Sequence, residues 1–123
     1  MHEFWGRHTL CNMEGIDKAN INNSDFFITL LRNAIATTNA TLVDIVYHNF
    51  IPEGMSVIAI LRESHVAIHT YPEYQALFLD VFTCGKQADP EKIVSYITNK
   101  LNPKQCFTQT IIRSSPSIKE KSF

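Results

Sequence analysis

Between residues 42 and 84 the chain holds four short runs rich in Val, Ile, Thr and aromatic residues: Leu42 to Phe50, Ser56 to Leu61, Ser64 to Thr70 and Ala76 to Cys84. Only tight breaks separate them, with Pro52-Glu53-Gly54 and Pro72-Glu73 as punctuation. Such runs fit pleated, half-buried strands, and turns this short join antiparallel neighbours. On either side the period changes from two to about 3.6. Asn22 to Asp25 offers several N-cap residues, and Phe27, Leu30, Leu31, Ala34 and Ile35 then fall on one stripe, which predicts a helix near residues 24 to 38. Asp89 followed by Pro90 is a helix start, and Ile93, Val94, Ile97 and Leu101 give the buried face of a second helix that ends before Pro103. One strand before the first helix and one near Gln105 to Ile112 complete the pattern. It predicts an α+β fold, a two-layer α/β sandwich in which an antiparallel sheet carries two helices on one face.

The 123 residues, 45% of them hydrophobic, suffice for one compact core and not for two. A single domain over 1–113 is expected, followed by a flexible Ser-, Pro- and Lys-bearing tail at 114–123. With 11 basic and 12 acidic residues the net charge is -1, which offers no electrostatic footprint for nucleic acid or an anionic membrane. No apolar stretch approaches a membrane span, and the beginning of the chain, with Glu3, Trp5, Arg7 and His8, lacks the apolar centre of a signal peptide. The chain therefore reads as cytoplasmic. Cys11, Cys84 and Cys106 match no disulfide framework or metal knuckle. They read as reduced thiols, with Cys11 and Cys106 as small buried packing residues.

The segment Glu63-Ser64-His65, then His69-Thr70-Tyr71-Pro72-Glu73, then Asp80-Val81-Phe82-Thr83-Cys84-Gly85 carries three linked motifs in order. Together they resemble the bacterial and archaeal S-adenosylmethionine decarboxylase family, and the similarity runs from Gly6-Arg7-His8 through the Asp89-Pro90 helix to about Ile112. The resemblance implies a proenzyme that cuts itself between Glu63 and Ser64, yielding a β chain of residues 1–63 and an α chain of residues 64–123. Ser64 would attack the Glu63 carbonyl to give an ester. His69 would act as processing base for its elimination, with Ser56 assisting, and Ser64 would become a pyruvoyl group. That group would form a Schiff base with the substrate amine and accept the electron pair left by carbon dioxide, with no metal and no pyridoxal phosphate. Cys84 would be the proton donor that quenches the carbanion. Phe50 matches a family position against the adenine ring and Glu73 one that holds the ribose. Tyr71 stands where the family usually has tryptophan, with less stacking area and an added hydroxyl. The implied product is decarboxylated S-adenosylmethionine, the aminopropyl donor of spermidine biosynthesis. The implied assembly is a dimer of cleaved protomers, two α and two β chains, with active sites near the interface.

Other readings compete on the same residues. Decarboxylases of arginine or ornithine use pyruvoyl chemistry on the same fold. Taken alone, Ser64 is a turn residue, His69 a hydrogen-bonding filler, Cys84 a small buried hydrophobe and Phe50 a core aromatic. Asp80 shares a strand face with Cys84 and serves either the site or the structure. A metal-binding module built on His65, His69, Glu73 and Cys84 fails on spacing, since on an extended strand His65 and His69 lie roughly 13 Å apart, too far to share one ion. A non-catalytic paralogue is disfavoured because Glu63, Ser64, His69 and Cys84 are all intact.

Overall fold

The computed structural model describes residues 4–86 and 88–115. Its elements run β1 (Trp5–Glu14), α1 (Ser24–Ala36), β2 (Leu42–Asn49), β3 (Met55–Leu61), β4 (Ser64–Tyr71), β5 (Ala76–Cys84), α2 (Pro90–Leu101) and β6 (Gln105–Ser114). A one-turn 3-10 segment, Pro72–Tyr74, sits between β4 and β5. The six strands form one antiparallel sheet in the order β2-β3-β4-β5-β1-β6, so the first strand is inserted between the fifth and the sixth.

Local chemistry accounts for the helix ends. Asn23 caps α1, its side chain accepting from the Phe26 N–H, and Thr37 and Thr38 close the helix by donating their hydroxyls to the carbonyls of Ala34 and Ile35. These back-bonds end α1 at Ala36, two residues short of the sequence expectation. Asp89 caps α2 by accepting from the Glu91 N–H, Pro90 occupies the first turn, and Asn102 ends the helix in the left-handed region at φ 48°.

Phe27, Leu30, Leu31, Ala34 and Ile35 of α1 and Ile93, Val94, Ile97 and Leu101 of α2 are buried against Met55, Val57, Val66, Ile68, Leu77 and Leu79 of the sheet. Alternate sheet residues point the other way, to a face without helices. That face carries Val46, Ile60, Tyr71, Phe78, Phe107 and Ile111, all exposed. The two-layer sandwich is thus borne out. β6 continues through Ser114, so the expected tail does not begin there, and residues 116–123 lie outside the described part of the chain.

Candidate active site

Arg62 and Glu63 link β3 to β4 in a tight hairpin, with Leu61 paired to Ser64. Glu63 takes φ 66°, a conformation that costs a non-glycine residue roughly 1–2 kcal/mol. Because β5 runs antiparallel beside β4, its last residue reaches this turn. The Cys84 backbone N–H donates to Ser64 Oγ at 3.1 Å, and the Cys84 thiol donates to the Glu63 carbonyl at 2.9 Å. One residue therefore holds both the serine hydroxyl and the carbonyl of the preceding peptide. Burial lifts the Cys84 thiol above its ordinary value and the nearby Glu63 charge adds to this, against an opposing hydrogen bond with Ser64. The thiol stays protonated at neutral pH.

Cys84 also lines a cavity of about 500 Å³ with Phe4, Trp5, Gly6, Phe82 and Arg113. The Arg113 guanidinium lies over the Phe82 ring, 5.2 Å from its centre. A Cβ at Gly6 would stand 2.6 Å from that ring and 2.8 Å from the Thr83 carbonyl, so only glycine lets β1 pass this close. Sequence reasoning missed Trp5, Phe82 and Arg113 as cavity residues. The signal within reach was Gly6, immediately before Arg7-His8.

The remaining candidates gather elsewhere. Ser56 and His69 are direct partners across β3 and β4 and share a hydrogen bond, Oγ to Nδ1, at 2.7 Å. His69 is five residues along β4 from Ser64, about 17 Å at roughly 3.3 Å per residue, and an odd separation puts the two on opposite faces. Within one chain His69, the processing base that the resemblance implies, is therefore not brought to Ser64. Phe50 follows β2 at the His69 end of the sheet, its ring 4.7 Å from that of His48. Tyr71 is there too, 5.1 Å from the Phe78 ring, and Glu73 lies on the 3-10 turn beside Asn22, Lys18 and Glu53. All of these sit at the end of the sheet opposite Glu63, Ser64 and Cys84.

Asp80 belongs to neither group. It bonds His8 Nε2 at 2.8 Å and His65 Nε2 at 3.5 Å from the helix-free face. Burial works to raise its carboxyl, but the hydrogen bonds from His65 and His8 and their charges outweigh it and hold the group below the usual carboxylate range. Cys11 is buried as expected, whereas Cys106 is exposed, because β6 is an edge strand; their sulfurs lie 2.9 Å apart. His65 and His69 occupy one extended strand, which removes the metal module first weighed on them.

The family model described as S-adenosylmethionine decarboxylase matches residues 7–114. A Clostridium kluyveri protein named S-adenosylmethionine decarboxylase proenzyme is 36% identical over 108 residues, covering 88% of this chain and 86% of that protein. A Pyrobaculum islandicum protein of the same name is 39% identical over 101 residues, covering 81% of each. The crystal structure of the adenosylmethionine decarboxylase from Aquifex aeolicus superposes with a TM-score of 0.86 at 30% identity, covering 98% of both chains. Fold and relatives together define a carboxy-lyase built on a two-layer α+β sandwich. This chain belongs to the S-adenosylmethionine decarboxylase family.

Proposed function

We propose that the chain is a self-processing S-adenosylmethionine decarboxylase of the cytoplasm, supplying decarboxylated S-adenosylmethionine for spermidine synthesis. The observation that carries the self-processing is the double hold of Cys84 on Ser64 Oγ and the Glu63 carbonyl. The N–H of Cys84 orients the serine oxygen toward the carbonyl carbon, and its thiol faces the oxygen on which negative charge develops. Ser64 Oγ adds to that carbon, the C–N bond breaks, and an ester replaces the amide. Removal of the Ser64 α-proton then expels Glu63 as a carboxylate. The dehydroalanine left at position 64 takes up water and loses ammonia to become pyruvoyl. These steps balance without any further reagent.

The residues present fit such a group. Ser64 stands at a strand end, and Cys84, with its raised pKa, is placed to protonate a carbon beside it. A pyruvoyl group there supplies an electrophilic carbonyl for the substrate amine and an acceptor for the electron pair left by carbon dioxide. Phe82, Trp5 and Arg113 line the adjoining cavity.

With His69 as the base for the α-proton, that base comes from another chain, because Ser56 and His69 lie at the opposite end of the sheet from Ser64. Two copies stacked on their helix-free faces about a two-fold axis would set the Ser64 end of each against the His69 end of the other. The exposed Val46, Ile60, Phe78 and Ile111 would be buried by the same step. Each site would then draw Glu63, Ser64 and Cys84 from one copy and Ser56 and His69 from the second, with Phe50, Tyr71 and Glu73 arriving to grip the nucleoside. An aromatic ring, a carboxylate for ribose hydroxyls and aromatic faces for a sulfonium suit S-adenosylmethionine better than a free basic amino acid.

Intact-mass measurement of the purified protein tests the proposal. It should give the pieces 1–63 and 64–123, the second blocked by pyruvoyl, and carbon dioxide release from S-adenosylmethionine. Only full-length chain after long incubation would refute self-processing. Agmatine or putrescine formed from arginine or ornithine, with no turnover of S-adenosylmethionine, would refute the substrate alone.

A further inference from the structure

We propose that His8, His65 and Asp80 form a binding site for one divalent transition-metal ion, of the zinc or cobalt type, distinct from the decarboxylation chemistry. The three residues lie on adjacent strands, β1, β4 and β5. In register, His8 and His65 both pair with Phe82, one on each side of it, and Asp80 lies two residues back on the same face. Two imidazoles separated by the width of β5 therefore lean inward over the strand, and the carboxylate rises between them. Their ligand atoms all fall within 4.8 Å of one another. The Nε2–Oδ2 distances of 2.8 and 3.5 Å bracket the roughly 3.3 Å that separates neighbouring ligand atoms around a tetrahedral zinc with bonds near 2.0–2.1 Å.

Two nitrogens and one carboxylate oxygen suit zinc, cobalt or nickel better than magnesium or calcium, which prefer all-oxygen sets. The side chains are 18%, 38% and 29% exposed for His8, His65 and Asp80, sheltered enough to hold an ion and open enough to admit one. The Phe82 ring packs against both imidazoles, at 5.6 and 6.0 Å between centres, and restricts their rotation. Ligands fixed on paired strands need little rearrangement to bind. Water, or a group from a second copy covering this face, completes the coordination. Because His65 follows Ser64 directly, a bound ion ties the start of β4 to β1 and β5.

The test uses the full chain, stripped of metal by chelator and dialysis, then titrated with Co²⁺ by visible absorption and with Zn²⁺ by calorimetry. The expected result is one ion per chain, with visible bands of nitrogen–oxygen-bound Co²⁺ and a higher melting temperature. Asp80→Asn keeps the size of the side chain and His65→Gln a hydrogen-bonding group, and each should weaken Zn²⁺ binding at least tenfold. His48→Gln, altering a histidine outside the cluster, should leave it unchanged. Should either cluster variant fail to fold, as judged by circular dichroism without metal, His8→Gln takes its place with the same expected loss. The proposal is overturned if the wild-type chain shows no saturable binding, or if the folded cluster variants bind as tightly as wild type.

Discussion

In the proposed cycle Cys84 has two separable duties, since its thiol donates to the Glu63 carbonyl before the chain is cut and would protonate a substrate carbon afterwards. Cys84→Ala removes one of two hydrogen bonds in the first role and the only proposed proton source in the second. Cleavage should slow yet reach completion on long incubation, whereas turnover falls by a factor of about a hundred or more. Near-normal carbon dioxide release from the cleaved variant would return Cys84 to simple packing. The same thiol sets a pH dependence. In the uncut chain its ordinary value of 9.0 is raised, chiefly by burial. Where that burial persists after the cut, the protonated form that the proposed catalysis uses is lost only as pH climbs through the raised pKa. A kcat profile falling already between pH 7 and 8, with the protein still folded, would contradict this assignment. Ser64→Ala has no nucleophile and should stay uncut indefinitely. His69→Ala should be uncut or stall at the ester, and hydroxylamine separates those outcomes because it cleaves an ester and not an amide.

Among the elements, the pairing of β1 with edge strand β6 leaves a titrating thiol in the core. Burial first, and then the hydrogen bond with Cys106, push the Cys11 thiol from 9.0 up to about 12. Above pH 9 the unfolded chain releases this proton while the folded chain keeps it, so stability is lost as pH rises from about 9 toward 12. Melting temperatures across that range should fall less steeply in Cys11→Ala than in wild type; identical slopes would show that other groups cause the loss. The start of α2 offers a separate test. Asp89→Ala deletes the cap on the Glu91 N–H and the 3.8 Å approach to Arg7, and should cost about 1 kcal/mol in urea unfolding. Asp89→Asn should retain most of that. The elements themselves were largely legible in advance, because cap residues and apolar periods are written within each segment. The break at Pro72-Glu73 was legible as well, but its 3-10 form and the continuation of β6 to Ser114 were not, the latter because it depends on pairing with β1.

For the molecule as a whole, the separation of Ser64 from His69 leads to a complementation experiment. Ser64→Ala and His69→Ala chains should each remain uncut when produced alone. Produced together, mixed dimers join the intact Ser64 of one chain to the intact His69 of the other, and cleaved His69→Ala chain should appear. Its absence, in mixtures shown to contain mixed dimers, would mean that each chain completes its own site. Sedimentation should likewise find the wild type at twice the mass of its 14.0 kDa chain, and a charged substitution on the helix-free face, Phe78→Lys, should shift it toward monomer.

Two kinds of information are divided between the sequence and the tertiary structure. Helices, strands, single core and the reactive segment follow from residues near one another in the chain: caps, alternating apolar positions, and the linked motifs around Ser64, His69 and Cys84. Which of those residues meet is decided by strand order and register. The antiparallel path of β5 returns Cys84 to Ser64 across 20 positions, while the straight run of β4 carries His69 away within five. The insertion of β1 between β5 and β6 brings His8 to Asp80 and His65, a grouping that no local spacing announces. Local patterns report what each segment can do, and long-range pairing determines where its side chains are placed.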